Sequence, residues 1–262
     1  MSFYRQGCRY YFKLCLVVVS CWYCSFSTAG IVVKHNPPVN TIEEALLEDM
    51  QRSKTIRKAI NVLQQHVTFP KPLVVVYGEN PKKASSPGPY YSHGKISIPY
   101  RYIFQLRKYL NKRKHIHHYK NVDDLVFASL VFALLHEAGH ALIYQYQIPI
   151  LGREEDVVDN FASYLLLSYF PNGSELLVAA AVVFDLYSKN GKKITDKQMQ
   201  GEHRLHKQRY FSLLCHLYGH QPESITKKYQ GLFSSQQISQ CARDYKKLNY
   251  GWKTILSGLN KK

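Results

Sequence analysis

His136, Glu137 and His140 stand at the spacing H-E-x-x-H, at the end of an apolar run from Leu125 to Leu135. The run reads as a helix, and residues four apart on a helix share a face. Both imidazoles can therefore address one ion, and two neutral histidines make half of a tetrahedral zinc site. Glu137 is turned about 100° from its neighbour. That sets it beside an ion rather than on it, where a general base takes a proton from water. The flanks Val131 to Leu135 and Ala141 to Ile143 are apolar. A glutamate and two histidines are costly to bury there unless something pairs with them. A metal meets that need; a polar core network would meet it too.

A catalytic zinc takes a third protein ligand and keeps a fourth position open. Pro149 and Gly152 end the motif helix and turn the chain. A second helix then opens with Arg153-Glu154-Glu155-Asp156. Acidic residues in a first turn suit the helix dipole, which accounts for them without any site. Glu155 and Asp159, however, are four apart and share a face. Glu155 is expected to ligate the ion. Asp159 is expected to accept the other ring N–H of a zinc-bound histidine and so fix its tautomer. Glu154 is the rival ligand, but it has Val158 rather than an acid four residues on. Asp156 points to another face, as a cap or toward solvent.

These residues carry a resemblance. H-E-x-x-H followed by E-x-x-x-D on the next helix is the gluzincin pattern of metallopeptidases. Three stretches together resemble the domain-of-unknown-function 4344 family: Leu135 to Ala141, Leu151 to Asp156, and Gly201-Glu202-His203 running to Gln208-Arg209-Tyr210 and Leu217-Tyr218-Gly219. The resemblance covers roughly Pro70 to Pro222. The family usually has alanine before the aspartate, where this chain has Val158, an apolar exchange that leaves the ligand assignment intact. The resemblance implies a zinc metallopeptidase acting on peptides or proteins. It also implies an α+β, mostly helical fold: a zincin-like single domain, residues 30–262, with a small β-sheet and an H-E-x-x-H active-site helix.

The chain has 262 residues, enough for one substantial core, and a formal net charge of +17. That charge favours contact with anionic surfaces such as nucleic acid, acidic lipid or a cell-wall polyanion. The first 29 residues read as a signal peptide. Arg5, Arg9 and Lys13 form a basic start, Leu14 to Cys24 a short apolar stretch, and Ser27-Thr28-Ala29 a small-residue cut site before Gly30. The apolar stretch is short of the ~20 residues that span a bilayer. A lipoprotein signal ending at Cys21 is the second reading, an uncleaved anchor the third. Four of the six cysteines fall in this leader, leaving Cys215 and Cys241 either paired or as two buried thiols.

The elements that must position the motif follow from periodicity. Thr41 caps a helix that runs to about His66, with Glu44 completing a capping box. Leu73 to Tyr77 is a buried strand, and Lys95 to Pro99 a second one whose lysine and proline suit a sheet edge. In zincin-like folds an edge strand lies along the metal cleft. Tyr100 to Lys114 is helical, Asn121 caps the motif helix, and the Glu155 helix ends near Phe170. Another helix spans Leu176 to Tyr187 and stops at Asn190-Gly191; Gly201 to Tyr218 forms a further one, and one or two short helices follow Pro222.

His203 is a candidate cleft residue that stabilises developing oxyanion charge, against a surface histidine on a basic helix. Arg209 suits a pair with a core acid. Tyr144 and Tyr146 are packing residues in a chain with 21 tyrosines. The basic stretch Arg107 to Lys120, with His115, His117 and His118, reads as a solvated loop with some affinity for anions rather than a second metal site. Three functions remain on these grounds. They are an exported zinc metallopeptidase, a basic binding protein on the same scaffold, and a zinc amidase acting on cell-wall peptides.

The leader yields a direct expectation. Mass spectrometry of protein recovered outside the cytoplasm should find an N-terminus near Gly30. A lipidated Cys21 would establish the lipoprotein reading instead, and an intact Met1 an anchor.

Overall fold

The computed structural model describes residues 30–79, 88–112, 121–189, 193–222, 229 and 231–259. The leader, most of the loop between Gly78 and Pro89, the basic and histidine-rich residues 113–120, and the Asn190-Gly191 stop lie outside them. Four short strands form one mixed sheet: β1 (Ile31–His35), β2 (Leu73–Tyr77), β3 (Tyr90–Ser92) and β4 (Lys95–Ile98), in the order β1-β2-β4-β3. β1, β2 and β4 are parallel, and β3 returns antiparallel to β4 with Tyr91 opposite Ile96. The β3–β4 turn is His93-Gly94, with both φ values positive at 46° and 82°. Two-residue hairpins favour that conformation because its twist matches the strands.

The expected edge is thus in the wrong place. β4 lies inside the sheet with Ile96, Ser97 and Ile98 buried, and β3 forms the edge. The two edge signals stand at the ends of β4: Lys95 is its first residue, paired with both Val74 and Ser92, and Pro99 follows its last. Lys95 Nζ pairs with Glu79 at 2.7 Å, and Pro99 sits outside the strand as the N-cap of the next helix.

The remaining described elements are helices: α1 (Thr41–Arg52), α2 (Lys54–His66), α3 (Tyr100–Asn111), α4 (Val122–Tyr146), α5 (Glu154–Tyr169), α6 (Gly173–Ser188), α7 (Asp196–Met199), α8 (His206–His220) and α9 (Ser235–Leu259). The single helix expected from Thr41 to His66 is two. Ser53 adopts extended backbone, and its hydroxyl accepts the Ile56 N–H, so it ends α1 and caps α2. Asn40 rather than Thr41 caps α1, through the Glu43 N–H. Arg107, the first residue of the basic stretch, is held by Asp49 and Asp123 at 2.9 Å each and so is already neutralised.

α4 is the axis of the molecule. Its apolar residues cover nearly its whole circumference, so it must be buried on all sides. It packs against α2, α3, α5, α6, β3 and β4. It is long and apolar enough to cross a membrane by length and composition, yet most of it is buried inside the protein. Asn121 caps it through the Asp124 N–H at 2.7 Å, and Gln147 closes it in the left-handed region at φ 50°.

α8 starts at His206, five residues later than expected, because the Gln208 side chain accepts the Leu205 N–H and fixes the first turn there. The tail forms one 25-residue helix, α9, in place of short pieces. α9 lies close along α8: a Cβ on Gly219 would meet the Cys241 carbonyl oxygen at 2.3 Å. Cys215 and Cys241 form a disulfide across this contact.

His216 on α8 is buried against α5, with Nδ1 3.0 Å from Ser163 Oγ. Burial lowers its pKa from 6.5 to about 4, only partly offset by Asp159 and Asp244. Between those values the unfolded chain takes up a proton that the folded chain refuses. Stability should therefore fall as pH drops from about 6.5 to about 4, by on the order of 3 kcal/mol for this group. Urea unfolding across that range should show the fall, and His216→Gln should flatten it. An unchanged slope would assign the acid sensitivity to other groups.

Candidate metal centre

On α4, His136 and Glu137 are buried and His140 is half-buried, and Glu155 faces them from the first turn of α5. The close approach of the two helices depends on Gly139. A Cβ there would lie 2.9 Å from Val158 Cγ1 and 3.0 Å from Phe161 Cδ1, both on α5. The missing side chain lets α5 seat Glu155 against both histidines.

Each histidine has one nitrogen engaged and one turned inward. His136 Nδ1 lies 2.8 Å from Asp159 Oδ1, and His140 Nδ1 lies 2.7 Å from Glu154 Oε1. The inward atoms face Glu155: His136 Nε2 is 3.2 Å from Oε2, and His140 Nε2 is 3.4 Å from Oε1. His203 Nε2 approaches the same Oε2 at 2.8 Å. Glu155 Oε2 is buried among these nitrogens. A tetrahedral zinc with bonds of ~2.0–2.1 Å sets its ligands ~3.3–3.4 Å apart, close to the spacings here. One ligand atom from each of His136, His140 and Glu155 lies within 4.8 Å of the others. The donor set, two imidazoles and a carboxylate, suits a divalent ion such as zinc.

The electrostatics call for positive charge at this point. Burial alone would lower the pKa of His136, but Asp159, Glu155 and Glu137 override it and raise it to about 9. Burial would lower the His140 pKa too, but Glu155 and Glu154 raise it. Burial opposes ionisation of Glu155, yet the three surrounding imidazoles hold its carboxyl far below the usual range. A bound cation would answer the same negative surroundings, in competition with protons for the ring nitrogens.

Asp159 is clamped in turn. Arg209 on α8 donates Nε to Oδ2 at 2.8 Å and Nη2 to Oδ1 at 2.7 Å. Its guanidinium lies 4.1 Å from the centre of the Phe184 ring. Against its burial, the Arg209 charge and His136 hold Asp159 ionised well below the ordinary aspartate range. A bidentate pair of this kind fixes orientation as well as charge.

Glu137 is only 8 % exposed. Burial raises its pKa, reinforced by Glu155 and opposed by the two motif histidines. The Tyr91 backbone N–H, on edge strand β3, donates to its carboxylate.

A family comparison matches residues 36–256. The chain belongs to the domain-of-unknown-function 4344 family. That family carries the description "Putative metallopeptidase", so the coarse assignment to a hydrolase of peptides rests on it. Comparison with curated proteins and with solved structures gave no match.

In this family member the structure brings all the sequence candidates together: His136, His140 and Glu155 at the centre, Glu137 and Asp159 beside them, and His203 at the cleft mouth. His203 reaches in from the bend before α8, and its ring stacks on that of His136 at 5.9 Å. The bend is pinned by Arg204, whose Nε donates to Asp156 at 2.8 Å; Asp156 is therefore neither a cap nor free in solvent. Glu154 is in contact with His140 Nδ1 and so holds the ring from outside the centre. Sequence reasoning missed the Tyr91 contact, since a backbone donor leaves no mark on residue type. It also missed the spatial need for Gly139, whose only signal was a glycine inside an otherwise strong helix.

Gly139→Leu should push α5 away from α4 and disperse Glu155 from the histidines. Metal affinity measured by competition with a chromophoric chelator should fall at least about 10-fold while circular dichroism keeps its helical signal. Undiminished affinity would show that the close approach is not what assembles the site.

Proposed function

We propose that the protein is an exported zinc-dependent peptidase with a zincin-like arrangement, in which Glu137 is the general base. One observation carries the reading: one ligand atom from each of His136, His140 and Glu155 lies within 4.8 Å of the others, beside a second carboxylate, Glu137, whose pKa burial raises. His136, His140 and Glu155 are the proposed ligands, with Asp159 and Glu154 orienting the two rings. A zinc ion held there supplies Lewis acidity, polarising a peptide carbonyl and making water more acidic.

The chain's own groups then do the proton work. Glu137 accepts a proton from the attacking water at its carboxylate. It returns that proton to the amine nitrogen as the C–N bond breaks. Its raised pKa suits both halves of that exchange. Tyr91 holds the carboxylate in place from the edge strand. His203 is 51 % exposed on its side chain and lines the same cleft as Glu137. It is the proposed donor to negative charge that develops on the carbonyl oxygen. The leader pattern and the Cys215–Cys241 disulfide support export, because disulfides persist in oxidising compartments.

Purified protein should carry about one zinc per chain, lost in His136→Ala and His140→Ala and strongly weakened in Glu155→Ala. Glu154→Ala should retain it. Full zinc retention by the Glu155 variant would remove that residue as third ligand. Glu137→Gln should keep zinc and lose peptide hydrolysis, because an amide cannot take the proton, whereas Asp159→Asn should cost ~10–100-fold in affinity or activity. Cleavage by Glu137→Gln at the parent rate would refute the mechanism.

A further inference from the structure

Ser129, Ala133 and Glu137 follow one another along α4 at four-residue intervals and share one face. A cleft of about 730 Å³ lies over that face and takes in His136, Glu137 and His203. From Ser129 to Glu137 the helix rises about 12 Å, so the cleft continues two turns beyond the Glu137 carboxylate. The small side chains of Ser129 and Ala133 create its floor. The walls that α3 and α6 contribute carry no charged side chain, and Leu106, Val183 and Phe184 are among them; the stretch leading into α8 closes the remaining side and brings Glu202, Arg204 and Arg209 to the lining. The rings of Phe132 and Phe184 meet edge to face at 5.9 Å. The cationic side chains near the rim are already engaged, Arg209 with Asp159 and Arg204 with Asp156.

We propose that this cleft is a specificity pocket for a large apolar side chain, aromatic before aliphatic, on the substrate residue next to the scissile bond. The proposal rests on the peptidase reading and adds the class of substrate. A side chain seated over Ala133 lays its own backbone beside Glu137, because the two α4 residues are one turn apart. An apolar side chain sheds water there at no polar cost. A charged one would lose its hydration and find no charged partner on the α3 and α6 walls that flank Ala133. The surrounding rings of Phe132, Phe184, Tyr102 and Tyr187 offer edge and face contacts that an aromatic ring uses better than an alkyl chain.

The test uses the zinc-loaded protein and acetyl-Ala-X-Ala-Ala amides with X as Phe, Leu, Ala, Asp or Lys. Cleavage is followed by mass spectrometry, and binding is measured separately by calorimetry on zinc-loaded Glu137→Gln. Phe should be favoured over Ala, Asp and Lys at least about 10-fold in both measurements, with Leu between. Ala133→Phe should fill the floor, lower kcat/KM for the Phe peptide about 100-fold and move preference toward Ala, with zinc content unchanged. Val183→Trp, which narrows the cleft from the α6 side, should act alike if Ala133→Phe does not fold. Cleavage with no preference, or with preference for Asp or Lys, would overturn the pocket and leave the peptidase reading standing. Selective binding of Phe that Ala133→Phe abolishes, with no cleavage by the parent protein, would support the pocket and overturn the hydrolysis. Equal binding of all five peptides would overturn the pocket.

Discussion

The contact of α4 with α5 at Gly139 is the constraint on which the site depends. Glycine in the middle of a helix costs about 1 kcal/mol relative to alanine, so its presence needs a return. Here the return is distance: Val158 and Phe161 press to where a Cβ would stand. Helices with ordinary side chains at a crossing stand 8–10 Å apart. Without a side chain at residue 139, Val158 and Phe161 can press against the α4 backbone, and the glutamate in the first turn of α5 reaches both motif histidines. Val158 is therefore part of the site's construction although it has no chemistry of its own.

Around that contact the protein buries an unusual density of charge. Glu137, Glu155 and Asp159 lie with His136 and His140 in a region from which most water is excluded. A buried ion is tolerated when it is paired and its remaining lone pairs are satisfied. Asp159 meets that condition fully through His136 and Arg209. Glu155 has imidazoles as its neighbours and, among the described residues, no arginine or lysine. Glu155 and Asp159 thus differ in character: Asp159 completes a structural network with an arginine, whereas Glu155 is surrounded by imidazoles alone.

The parts of this arrangement that were legible in the sequence are those with short-range causes. The α4 and α5 helices, their order and the facing of His136, His140, Glu155 and Asp159 follow from a 3.6-residue period and from spacings within about two dozen residues. Asn121 was readable as a cap because its side chain serves the adjacent turn. What escaped was set by partners distant in the chain. Lys95 and Pro99 look like edge residues, yet whether β4 is an edge depends on β3 closing over it. The start of α8 at His206 depends on Gln208 and on Arg204 being drawn to Asp156. Arg209 was readable as the partner of a core acid, but which acid depended on how α8 packs against α5. The long α9 was obscured because its buried residues, Cys241, Tyr245, Trp252 and Leu256, are sparse among polar ones.

The disulfide between α8 and α9 divides the molecule in a way that bears on how it opens. The proposed ligands lie on α4 and α5, neighbours in sequence joined by a short turn. Arg209, which holds Asp159, arrives 50 residues later on a helix covalently tied to α9. Proteins open in cooperative pieces, and a cross-linked pair of helices tends to leave as one piece. Departure of α8 with α9 would release Asp159 and unfasten the His136 ring, while the two histidines and Glu155 stay together. Amide exchange along α8 therefore reports on the stiffness of the site, whereas exchange along α4 and α5 reports on its existence.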